Sequence, residues 1–97
     1  MKLEDLIFTD GLIISYEEVF NTLRLNFSDY SDNLIEILFL GASDYKDFGF
    51  SGRTIEDYKI NKKRNKTVLE LFDDEENYIF QVSFENYKIM FVEEKNN

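Results

Sequence analysis

Over residues 22–28 the chain reads TLRLNFS, with Leu23, Leu25 and Phe27 alternating against Thr22, Arg24, Asn26 and Ser28. A period of two puts alternate side chains on opposite faces of an extended chain, whereas a helix would scatter the same three apolar groups around its axis. The stretch is therefore predicted as a half-buried strand with one wet face. Residues 33–40, NLIEILFL, are apolar on both faces apart from Glu36, the pattern of a central strand covered on both sides. Asp29, Tyr30, Ser31 and Asp32 between them supply turn chemistry, and the two runs together predict a hairpin.

The second half repeats this kind of signal. VLELF over 68–72 and YIFQVSF over 78–84 flank the polar stretch DDEEN, a loop of hairpin length. Tyr78, Phe80, Val82 and Phe84 define one face of the second run. Residues 87–92 follow after only Glu85 and Asn86, which predicts a third strand of a meander. Upstream, residues 44–52 (DYKDFGFSG) read as a loop, 54–61 as a strand and 61–66 (NKKRNK) as the turn into Thr67. Residues 15–23 carry two conflicting patterns. Ser15 with Glu18 makes a capping box, and Tyr16, Val19, Phe20 and Leu23 fall at helical spacing, so a short helix competes with a hairpin at Asn21.

Pro is absent, the four Gly are scattered, and neither a linker nor an internal repeat is visible in the 97 residues. That length suits one hydrophobic core and not two. The expectation is a single, mainly β domain: an antiparallel sandwich or strongly curved sheet of about six or seven strands, with at most one or two short helices.

The residue inventory narrows the chemistry. Without His or Cys there is no Ser-His or Cys-His nucleophile pair, no thiolate site, no disulfide and almost no route to a zinc centre. Paired carboxylates remain, but enzymes that use them need a deep cleft that a chain this short rarely forms. Neither Asp10-Gly11 nor the Gly49–Gly52 stretch matches a phosphate-binding loop. The run Asp73, Asp74, Glu75, Glu76 lacks the ligand spacing and internal Gly of a calcium loop. No catalytic activity, cofactor or metal is expected.

Net charge is −9, a field that repels nucleic acid and anionic lipid and favours basic proteins as partners. Lys59, Lys62, Lys63, Arg64 and Lys66 form the single basic cluster. It reads as a solvated turn, since 20 carboxylates elsewhere oppose any approaching polyanion. Acidic residues interrupt the first ten positions, and apolar runs stop at three to four residues. No export signal or membrane span is expected, and lack of Cys suits the cytoplasm. Asp73, Asp74, Glu75 and Glu76 on a protruding loop are the first candidates for docking against Lys and Arg. Tyr45, Phe48, Phe50 and Tyr58 read as core residues beneath a loop. Any that are exposed beside Asp44, Asp47, Glu56 and Asp57 would make an aromatic hot spot with an acidic rim.

An Asp-Gly turn before an apolar strand (LEDLIFTDGLIISYE), an alternating strand leading to an ILFLG strand and a Tyr/Phe-rich loop (TLRLNFSDYSDNLIEILFLGASDYKDFGF), and a closing acidic hairpin occur in this order. In that order of elements the chain resembles the small bacterial immunity proteins of polymorphic toxin and contact-dependent growth inhibition systems. The resemblance implies a cytoplasmic protein that binds a cognate toxin domain and blocks its active or substrate-binding surface. Such toxins include basic nucleases. The competing expectation is a structural or adaptor domain that homodimerises or pairs through a sheet edge, which no Pro is present to blunt.

Overall fold

The computed structural model describes residues 2–42 and 44–93. After a single 3-10 turn at Leu3–Asp5, they form eight strands: β1 (Leu12–Val19), β2 (Thr22–Ser28), β3 (Leu34–Leu40), β4 (Asp44–Asp47), β5 (Asp57–Lys62), β6 (Thr67–Phe72), β7 (Tyr78–Phe84) and β8 (Asn86–Glu93). They pair as two antiparallel sheets, ordered β1-β2-β3-β8 and β4-β7-β6-β5, which is the mainly β architecture expected.

The alternation in β2 does what its period requires. Leu23, Leu25 and Phe27 are buried and lie opposite Phe39, Ile37 and Ile35 of β3. Leu69 and Leu71 of β6 and Phe80, Val82 and Phe84 of β7 fill the core from the second sheet. The two layers meet directly where the Phe39 and Phe84 rings lie 4.6 Å apart. Each such side chain contributes about 1.5–3 kcal/mol by leaving water.

The core has a third contributor outside both sheets. Leu3, Leu6 and Phe8 are buried, while Ile7 is about half exposed. The amide of Leu3 donates to the Tyr87 hydroxyl of β8 at 2.7 Å, and the Tyr58 hydroxyl of β5 donates to the Leu6 carbonyl at 3.4 Å. This N-terminal segment thereby closes the gap between β5 and the first sheet. It ends at Asp10-Gly11, where Asp10 N donates to Ile55 O and Ile55 N to Gly11 O. A Cβ on Gly11 would sit 2.7 Å from the Ser28 carbonyl oxygen, so this crossing needs Gly.

Several expectations are corrected by strand pairing. Residues 15–23 form the β1–β2 hairpin, not a helix. β2 would otherwise show an unpaired edge, and satisfying its backbone groups outweighs a local capping box. Asp44–Asp47, expected as loop, pairs with β7. The meander stops at β7, because both of its sides are taken by β4 and β6. β8 instead crosses to the first sheet and pairs with β3, and Glu85 N donates to Leu40 O at the crossing. β3 is central in its sheet but covered on one face only: Leu34, Leu38 and Leu40 are half-buried on the outside. Tyr78 does not share the inner face of Phe80. A register shift between Leu71 and Phe72 makes Ile79 an extra residue, so Ile79 and Phe80 are both buried and Tyr78 turns outward.

The pairing also shows a repeat that residue identities hide. Each sheet takes three successive strands from one half of the chain (β1–β3 or β5–β7) and its last strand from the other half (β8 or β4). The equivalent turns match. Asp29 Oδ1 accepts from the amides of Ser31 and Asn33, and Asp73 Oδ1 accepts from those of Glu75 and Asn77. Asp32 and Glu76, one residue before the closing Asn, both have φ of 63°. Among the described residues no helix is long and apolar enough to cross a membrane.

Candidate interaction surface

The outer face of the β4-β7-β6-β5 sheet carries a row of aromatic rings. Phe48 extends the line of β4, its amide donating to Ile79 O. Its ring stacks on Tyr78 with centroids 5.2 Å apart, and Tyr78 lies 4.8 Å from Phe72. Lys59 Nζ stands 5.4 Å from the Phe72 centroid and closes the row at β5. Phe48 and Tyr78 are 45% and 41% exposed, so two rings face solvent above a buried third. The Glu70 carboxylate beside the Tyr78 hydroxyl holds that phenol above its ordinary value by hydrogen bonding and charge. Asn61 Nδ2 donates to the same carboxylate at 3.2 Å.

The acidic β6–β7 turn stands beside the middle of this row, joining Phe72 to Tyr78. Asp73 is not one of its free charges. Its Oδ2 accepts from Arg53 Nη2 at 2.7 Å, and its Oδ1 caps the turn. The hydrogen bond from Arg53, then those from the Asn77 and Glu75 amides, hold its carboxyl below the usual value. Arg53 also donates to the carbonyls of Phe48 and Gly49, so one guanidinium ties the β4–β5 loop to the β6–β7 turn. Asp74, Glu75 and Glu76 remain exposed around the tip.

Of the other predicted residues, Glu56 shares a shallow concavity with Arg53, Thr54, Asp73 and Asp74. Asp57 begins β5 opposite Phe72 and accepts from the Tyr58 amide. Asp47 lies near Phe48 but faces the first sheet, accepting from the Tyr16 hydroxyl at 3.0 Å and from Gly49 N. Burial first, and then this hydrogen bond to Asp47, push the Tyr16 phenol up to about 12. Asp44 is not part of the group. It stands at the other end of β4, opposite Ser83, among Lys46, Lys63, Arg64 and Lys66. Tyr45, Phe50 and Tyr58 pack against the core as expected, leaving Phe48 as the exposed member of that set.

Two aromatic positions escaped sequence reasoning. Tyr78 falls on the inner set of its strand by alternation, and only the bulge turns it out. Phe20, at the tip of the β1–β2 turn, has φ of 56° and is 94% exposed. An aromatic residue in the left-handed region is uncommon, and its place beside Asn21 is the one local hint of a turn. Among the described residues no three acidic side chains converge as metal ligands. Comparison with known protein families, curated proteins and solved structures finds no match to this chain.

Proposed function

We propose that this chain is a toxin-neutralising immunity protein that seats its aromatic row and acidic β6–β7 turn on a basic toxin domain, covering its active or substrate-binding surface. The observation that carries this reading is the exposed Phe48–Tyr78 stack on buried Phe72, with Asp74, Glu75, Glu76 and Glu70 around it. Stacked rings held by a sheet lose little freedom on binding, and a charged rim outside them is the arrangement of an interface hot spot. The net charge of −9 would speed encounter with a cationic partner, while the rings slow its release. In this reading the chain carries out no catalysis, needs no cofactor and works in the cytoplasm.

The test is affinity capture of the tagged chain co-expressed with the product of the adjacent gene, followed by association and dissociation rates. Phe48→Ala should speed dissociation by more than about 30-fold, the level of an interface hot spot. The triple variant Asp74→Asn, Glu75→Gln, Glu76→Gln should slow association several-fold at low salt and flatten its salt dependence. Recovery of the chain alone, or rates that neither change alters, would sink the proposal.

The adaptor or homodimer reading has one supporting feature. Beyond the bridge from Leu12 to Thr54, β1 is an edge strand with Ile14 and Val19 about half exposed. A bulge between Ile13 and Ser15, together with exposed Glu17 and Glu18, opposes pairing there. Sedimentation across a wide concentration range distinguishes the two readings.

A further inference from the structure

Of the five residues in the basic cluster, Lys63, Arg64 and Lys66 lie in the β5–β6 turn. The β5–β6 turn overhangs the outer face of its sheet at the end away from the acidic turn. Beneath it lies a concavity of about 490 Å³ lined by Lys63, Arg64, Asn65 and Lys66 of the turn, Lys46 of β4, and Val68, Gln81 and Ser83 of the sheet. Asp44 is the one carboxylate among its lining residues. Four basic residues and one carboxylate therefore line one hollow of a chain whose net charge is −9. No ion pair among the described residues engages Lys46, Lys63 or Arg64, whereas Lys62 is turned towards Glu4 on the other side of the turn.

An anion bound in a hollow lined by basic side chains gains from all of them at once, and the size of the hollow is within the range of small-molecule sites. Arg64 offers a planar fork for two oxygens, and Lys46 and Lys63 offer point charges. The Gln81 amide and Ser83 hydroxyl on the floor supply neutral donors. A phosphate group concentrates about −1.5 to −2 charges on three oxygens, so two or more on one small molecule match this charge within the available volume. A long polyanion would have to pass the carboxylates over the rest of the surface, which repel it. We propose that this concavity binds a small ligand carrying two or more phosphate groups, at a site separate from the aromatic and acidic surface.

The experiment is an amide NMR titration of the full chain with inorganic triphosphate at fixed ionic strength, with hexaglutamate as the carboxylate probe. Saturable shifts confined to residues 44–46, 63–68 and 81–83 are expected. Lys63→Gln with Arg64→Gln should weaken triphosphate at least tenfold, Asp44→Asn should tighten it several-fold, and Lys59→Gln, outside the hollow, should leave it unchanged. All of these side chains are on the surface, and unchanged amide shifts elsewhere verify that each variant folds. Shifts spread over all lysines, or indifference to the double substitution, would overturn the site. Hexaglutamate binding as tightly as triphosphate would overturn the phosphate assignment.

Discussion

Phe8 gives the sharpest test of how this fold is held together. It lies outside every strand yet is fully buried, with its ring 4.8 Å from Phe27 of β2 and 5.1 Å from Tyr58 of β5. Replacing it with Ala removes a buried ring and leaves a cavity between the sheets, which costs about 3–5 kcal/mol. Domains of this size have only about 5–15 kcal/mol of stability in total. At roughly 4–8 °C per kcal/mol for a chain of this length, the melting temperature should fall by about 12 °C or more. The neighbouring Ile7 is half exposed, so Ile7→Ala should change stability by no more than about 0.5 kcal/mol. Urea unfolding followed by tyrosine fluorescence and circular dichroism measures both. Two variants of equal stability would refute the argument that the N-terminal segment is the third wall of the core.

Two pH effects follow from the same geometry. Tyr16 has a folded-state value of about 12 against an ordinary 10, so its contribution to stability is complete below pH 10 and is lost as pH rises from 10 towards 12. Tyr16→Phe should remove that alkaline step, read as melting temperature against pH. Asp73 is shifted the other way. Its contribution is present above the ordinary carboxylate value and is lost as pH falls through its depressed folded value. Arg53→Met should shrink this acid-side loss and free the β4–β5 loop from the β6–β7 turn, visible as faster amide exchange at Gly49 and Asn77.

The local physics of the strands was legible in the sequence. Period-two alternation assigned the inner faces of β2 and, from Phe80 to Phe84, of β7, because a side chain's face in an extended chain depends only on its position. The Asp and Asn residues that bound the β2–β3 and β6–β7 turns marked both hairpins, since the side chain that makes the turn lies within it. The acidic character of the β6–β7 tip and the absence of His and Cys needed no coordinates at all.

What only the tertiary structure decided was partnership. Whether residues 15–23 became helix or strand depended on the open edge of β2, whose other edge is taken by β3. The transfer of β8 to the first sheet depended on both sides of β7 being occupied, which no local pattern near Glu85 records. A one-residue bulge turned Tyr78 outward, and with it created the exposed stack that Phe48 alone would not make. Asp44 and Asp47, three residues apart in one strand, ended in opposite surroundings, one among lysines and one against Tyr16. Alternation and charge are properties of the chain itself, whereas register and pairing are settled by groups that meet only when the sheets close.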